Sequence, residues 1–444
     1  MQHDYEMKMK YFIMMFMLIV ANNSTFATAK VTRSQNNFNL QQILQKSYDN
    51  SPKLQAAKAA LAAAKSLRKQ SSVMLNPELI YRKESFGGGG AYKFYSPQQN
   101  VYGVSQTLEI GGKITARENI ADENIKIAQL NQVVTKLDLK RDVTIAYAKI
   151  VASQETLELA KQQHQLAKNV LHDANARIAE AASPLIQRSR AEIAIYFADI
   201  TLAKAQHGLE LERKHIAILM AEDNFNLSLD NKYFYDLSEI NWDSKQKLLA
   251  SNPDMLQLEN NIAHSKAVVK LEKANAVPNP RLDAGVIEIP VANDKAFMVG
   301  VSVPIQLFNS NHDNIKSAQH QVRKTSFEAK QALLDASATL VQAEEAMHDA
   351  YIRAEILNDK MLPSAIKTLE LAKDGYARGR FLQSEVRDSQ RALFDIQLQL
   401  VVAMLEFHSN KAQIDRMIVN LTDAKNIAKL DDIKLDDIGS ANLE

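Results

Sequence analysis

Hydrophobic residues recur at helical spacing over most of the chain, and two runs, Lys113 to Ala182 and Asn311 to Lys360, contain neither glycine nor proline. Such runs predict very long helices. At 1.5 Å per residue, a helix of about seventy residues would extend about 100 Å, several times the width of a small domain. The stretch Ala56 to Lys65 is rich in alanine, whose small side chain lets helices approach closely. Helices alone would equally suit a coiled-coil spacer.

Two segments switch to a period of two. From Val101 to Ile110, Tyr102, Val104, Gln106, Leu108 and Ile110 share one face, and Gly103, Ser105, Thr107 and Glu109 the other. From Phe297 to Ile305, Phe297, Val299, Val301, Val303 and Ile305 alternate with Met298, Gly300, Ser302 and Pro304. This is the signature of strands with one apolar face. The preceding segments, Glu78 to Phe86 and Arg281 to Ile289, alternate less cleanly and are expected to pair with them as hairpins.

The hairpins belong to an internal duplication. Asn50-Ser51-Pro52 corresponds to Ser251-Asn252-Pro253, Asn76-Pro77 to Asn279-Pro280, and Val104-Ser105 to Val301-Ser302. The displacements are 201 from Pro52 to Pro253, 203 from Pro77 to Pro280 and 197 from Val104 to Val301. One register with small insertions therefore covers half the chain.

At the N-terminus, Lys8 and Lys10 precede the apolar run Tyr11 to Ala21, and Ala27-Thr28-Ala29 follows. This reads as a cleaved secretory signal, since a membrane-spanning helix needs about twenty apolar residues. The expected layout is a leader over 1–29, a first repeat over 30–222 with its hairpin near 77–110, and a linker over 223–242. A second repeat over 243–422 follows, with its hairpin near 280–307, and then an acidic tail over 423–444. The tail carries Asp431, Asp432, Asp436 and Asp437 and is expected to be disordered or to wrap the helices.

Export and strands together imply oligomerisation. A sheet that crosses lipid cannot leave its edge strands unpaired, because no water is there to satisfy them. Known single-chain barrels start at about eight strands, so four strands would close only with copies of the chain, and three copies would give twelve. The alternative is that both hairpins are soluble connectors.

Composition narrows the chemistry. With no cysteine among 444 residues, disulfides, thiolate chemistry and N-terminal acylation through cysteine are excluded. A formal charge of +1 gives no footprint for nucleic acid. The histidine pairs His164/His172, His207/His215 and His312/His320 are each eight residues apart. That is about 12 Å along a helix, too far to share one metal ion. The chain contains no HExxH, GxSxG or P-loop motif, so no catalytic, metal or cofactor residues are assigned. The Gly87 to Gly90 run suits an extracellular loop better than a phosphate cradle.

The segment Gln106-Thr107-Leu108-Glu109-Ile110-Gly111-Gly112-Lys113, leading into a helix with Arg117, resembles the second strand and helix start of TolC-family outer-membrane efflux proteins. It is most like the CzcC-type branch, which serves heavy-metal efflux. The resemblance covers nearly the whole mature chain and is weakest over 223–242 and after Thr422. It implies a mainly α fold with a small β part: long coiled-coil helices form a periplasmic α-barrel, and four strands per chain contribute to a trimeric, 12-stranded outer-membrane β-barrel. It also implies a homotrimer in the outer membrane of a Gram-negative bacterium, embedded in outer-membrane lipid. A periplasmic adaptor (membrane fusion) protein and an inner-membrane RND-type pump would be its partners. Many relatives are acylated on an N-terminal cysteine, so here only the barrel would hold the protein in the membrane.

The same resemblance assigns a periplasmic gate. Tyr376 and Gly379 match the closing tip, and Glu385 and Asp388, three apart on one helix face, match its lumen-facing acidic residues. In a trimer these would form two stacked rings of carboxylates that favour cations; the alternative is a solvated coiled-coil face. Phe381 stands where TolC has a basic residue, and Gln187 where an acidic linking residue is expected. The first half would turn at Ala181-Ala182-Ser183-Pro184 without a glycine. The function implied is a passive exit duct for heavy-metal cations, or otherwise for drugs or type I secreted proteins. A reading of a different class is a periplasmic coiled-coil adaptor or structural protein without a pore.

Overall fold

The computed structural model describes residues 38–85, 89–90, 98–180, 184–223, 229–237, 246–420 and 423. The leader, residues 181–183 where the first half is expected to turn, Gly87 and Gly88, and the acidic tail after Asp423 fall outside them. The first half comprises α1 (Leu40–Asn50), α2 (Pro52–Ser71), β1 (Glu78–Glu84), β2 (Gln99–Thr107), α3 (Lys113–Ala179) and α4 (Leu185–Leu219). A short α5 (Gln246–Leu249) leads into α6 (Pro253–Asn275), β3 (Arg281–Ile289), β4 (Asp294–Ser302), α7 (His312–Ile356), α8 (Leu362–Ala377) and α9 (Gln383–Ile418). Helix–strand–strand–helix thus occurs twice, as the duplication requires.

The repeated Ser/Asn-Pro motifs are helix starts. Ser51 Oγ accepts the Leu54 amide at 3.4 Å, Asn252 Oδ1 accepts the Asp254 amide at 2.8 Å, and Pro52 and Pro253 open their helices. Proline suits that position because its missing N–H would have no helical partner there. α3 runs for 67 residues, nearly the length expected. The second long helix is interrupted where the sequence showed no break: residues Leu357–Met361 form a π-helical turn before α8. Pro363 explains it, since a helical proline collides with the carbonyl four residues earlier, here Asp359, and the wider turn lies at that point.

The core is a belt around the middle of α3. Val143, Tyr147 and Ile150 of α3 pack with Ile216 of α4, Leu357 of the π turn and Met404 of α9. Each such side chain contributes about 1.5–3 kcal/mol on burial. The linker, least legible in sequence, completes this belt: Leu229 bridges to Phe38, Phe234 is fully buried, and Tyr147 donates to the Asp230 carbonyl at 2.7 Å. His408 of α9 holds the Phe234 carbonyl through Nε2 at 2.8 Å. Below the belt, Arg416 binds Asp254 of α6 and Asp138 of α3 at 2.6 and 2.8 Å, tying the end of the second half to its beginning.

Beyond the belt α3 has no buried residue after Ala160. On the neighbouring helices the buried side chains there are small, Ala191 and Ala198 of α4 and Ala372 of α8.

Candidate functional site: the sheet, its junction with the helices, and the helical tips

All four strands form one antiparallel sheet in the order β1-β2-β3-β4. Registers pair Leu79 with Val104, Tyr81 with Tyr102, Val104 with Ala284, Leu282 with Val301 and Val286 with Phe297. These residues share one face, and it is bare: Leu79 is 90% and Phe297 92% exposed. The opposite face is mixed, with Ser105, Asp283 and Arg281, the glycines Gly103 and Gly285, and the apolar Ile80, Val101, Ile287 and Met298. An exposed apolar face of this extent has no place in water. The sheet ends in two unpaired edges, β1 and β4, which run antiparallel to each other because the number of strands is even.

Within the strand–helix signature, Leu108, Gly111 and Lys113 contact the second half, while Gln106 and Glu109 fix the junction inside the first. Gln106 Nε2 donates to the Leu75 carbonyl at 2.9 Å, and the Leu108 amide to the Pro280 carbonyl at 2.9 Å. Glu109 and Arg117 form a two-pronged ion pair, with Nη2 to Oε2 at 2.8 Å. Hydrogen bonding to Arg117 holds the Glu109 carboxyl below its usual range, against the opposing effect of its burial. Gly111 and Gly112 take φ of +75° and +76° to turn the strand into α3. A Cβ on Gly111 would lie 2.7 Å from Val277, so close approach as well as conformation demands glycine. Lys113, 6% exposed, reaches the Val277 carbonyl at 2.5 Å and the Asn279 side chain. Burial lowers its pKa, partly countered by Glu109.

At the far end α8 closes on Gly379, with φ of +70°. The Arg380 amide donates back to the Gly375 carbonyl at 2.8 Å, capping the helix. The Phe381 ring lies on Gly375, where a Cβ would come within 2.1 Å of it, so this turn is held by ring packing. Glu385 and Asp388 are exposed on one face of α9. Asp388 also borders a cavity of about 600 Å³ among α3, α4, α8 and α9, beside Arg387, Arg391 and Arg190. Its surroundings are thus of mixed charge. Gln187 lies half-buried in the first turn of α4.

Arg177, on the last turns of α3, makes the link between the two halves at the tips. It donates to the Tyr376 hydroxyl, and its guanidinium lies 5.6 Å from the ring centroid. Sequence reading found Tyr376 and missed Arg177. The two are 199 residues apart, and no motif marks Arg177 in the sequence. Of the histidines, His164 meets Asp199 across α3 and α4 at 2.8 Å, an ordinary helix–helix contact.

A four-stranded sheet with one bare apolar face, set on a bundle whose longest helix spans 67 residues, about 100 Å, defines an outer-membrane channel of the efflux type. The chain belongs to the outer membrane efflux protein family, whose model matches residues 43–216 and again 245–418, one match for each half. It is 24% identical over 357 residues to the cobalt-zinc-cadmium resistance protein CzcC of Cupriavidus metallidurans, covering 79% of this chain and 82% of that one. It is 24% identical over 309 residues to the nickel-cobalt-cadmium resistance protein NccC of Alcaligenes xylosoxydans xylosoxydans, covering 66% and 65%. In fold it is similar to the CmeC outer membrane channel of Campylobacter jejuni, with a TM-score of 0.73, 12% identity, and 88% and 89% of the two chains covered.

Proposed function

We propose that this chain is the outer-membrane exit duct of a tripartite efflux system that expels divalent heavy-metal cations. The observation that carries the duct is the sheet, whose apolar face and two open edges are satisfied together only in lipid and only in a closed ring. Three copies supply twelve strands, and the antiparallel relation of β1 to β4 lets the ring close without a mismatch. The metal cargo rests on the resistance proteins to which the chain is similar. A periplasmic adaptor and an inner-membrane RND-type pump are the partners this reading requires, since the chain has no motif for coupling energy. With no cysteine to acylate, the barrel alone anchors the trimer. A pore-free coiled-coil adaptor leaves the bare sheet face without a purpose.

Under this reading the duct does no chemistry. Transport needs the tips to part, which exchanges one packing of the same helices for another. The test is deletion of the gene followed by growth on zinc, cadmium, cobalt, nickel, copper and common drugs. Sensitivity to the metals, restored by the intact gene, is expected. Sensitivity to drugs alone would overturn the metal assignment.

A further inference from the structure

The seam between copies is already written inside one chain. In the hairpins, Glu78 faces Ser105 and Arg281 faces Ser302. Displacements of 203 and 197 carry the first pair onto the second, the same displacements that separate Pro77 from Pro280 and Val104 from Val301. Two independent sources thus give one superposition of the halves. In it β1 is equivalent to β3, and β2 to β4. The β2–β3 contact, where the second strand of one half meets the first strand of the next half, is therefore the template for β4 meeting β1 of another copy.

We infer that β4 pairs with β1 of a neighbouring copy in the register that places Ser302 opposite Ile80, Val301 opposite Tyr81 and Gly300 opposite Arg82. This deepens the duct reading and rests on it. The register follows from the internal pairs Ser105 with Asp283, Val104 with Ala284 and Gly103 with Gly285, carried by the two displacements. Three features of the chain agree with the pairs this register brings together. Val301 and Tyr81 both lie on the bare apolar face, and so do Val303 and Leu79; a slip of one residue would turn apolar against polar. The hydrogen bond from the Leu108 amide to the Pro280 carbonyl becomes one from Ile305 to Pro77, which as a proline needs only to accept. The close contact of Gly111 with Val277 becomes Phe308 on Met74, side chains that stand 101% and 68% exposed in the single chain.

Cross-linking tests this cleanly because the chain has no cysteine. Ser302 and Ile80 lie on the two opposite edge strands of one chain, which are about 14 Å apart at 4.8 Å per strand, and Met298 rather than Ser302 stands across from Ile80, so a disulfide between them must join two copies. Counting from the hydrogen-bonded pair Leu108 and Pro280, the pair equivalent to Ser302 and Ile80 is of the non-hydrogen-bonded kind, with Cα atoms about 4.5 Å apart, within disulfide reach. The double variant Ser302→Cys/Ile80→Cys should convert most of the oligomer to covalent species under mild oxidation. Ser302→Cys with Glu78→Cys or Arg82→Cys, each displaced by two residues to about 8 Å, should yield at least fivefold less. Each variant is first checked for a heat-modifiable outer-membrane oligomer. Stronger linking through Glu78→Cys or Arg82→Cys, or none in any pair with the oligomer intact, overturns the register and leaves the duct standing. A monomer with no cross-link in any pair overturns both.

Discussion

Removing one oxygen at the tips should loosen the channel. Tyr376→Phe keeps the ring over which Arg177 lies and deletes only the hydroxyl that accepts its hydrogen bond. In a water-exposed setting that bond contributes about 0.5–1 kcal/mol per chain. If three tips part together, the closed state loses about 1.5–3 kcal/mol, an increase of about tenfold to a hundredfold in the open-to-closed ratio. Arg177→Leu deletes the cation–π contact as well, worth about 0.5–1 kcal/mol more. Single-channel recording in planar bilayers reads this as a rise in open probability or conductance, larger for Arg177→Leu. The double variant should conduct no more than Arg177→Leu alone, since both act on one contact. A folded, oligomeric Tyr376→Phe channel that conducts like the parent, or strictly additive effects, would refute the latch.

Glu385→Ala together with Asp388→Ala should weaken block by divalent cations from the periplasmic side; unchanged block removes the carboxylate rings from consideration, and the neighbouring Arg387 and Arg391 set how large the effect can be. Gly111→Ala forces a left-handed residue at about 1–2 kcal/mol and drives a methyl into Val277, so the oligomer should dissociate at lower temperature on a semi-native gel, whereas Gly89→Ala, in open space, serves as a neutral control. Lys113→Met leaves the Val277 carbonyl and Asn279 without their donor, at about 1–3 kcal/mol, and should shift urea unfolding in detergent accordingly. His408 is buried, which lowers its pKa below the usual histidine value, so its neutral form is the one the fold requires. The unfolded chain binds that proton more readily, so stability is full above about pH 6.5 and declines as the pH falls below it. The thermal midpoint should drop between about pH 7 and 5, and His408→Gln, which keeps a donor for Phe234, should flatten the drop; an unchanged slope assigns the pH dependence elsewhere.

Much of this molecule was legible because local rules act over short spans. Long stretches without breakers became α3 and α7, the period-two runs became β2 and β4, although these strands end at Thr107 and Ser302, three residues before the runs do, and paired Asn-Pro and Ser-Pro landmarks revealed the duplication. Gly379 was legible as a left-handed turn for the same reason: only glycine takes that backbone at low cost. The tertiary structure decided what depends on distant residues meeting. The role of Lys113 lies in a carbonyl 164 positions away, and the burial of the 229–237 segment depends on Tyr147 and His408, which local polarity does not announce. Phe381 looked like a missing charge until its ring was seen on Gly375, and Arg177 had no motif of its own. Sequence determines which elements form and that four strands cannot close alone. Only the fold decides which side chains join the two halves, because that is fixed by the register in which the repeats pack.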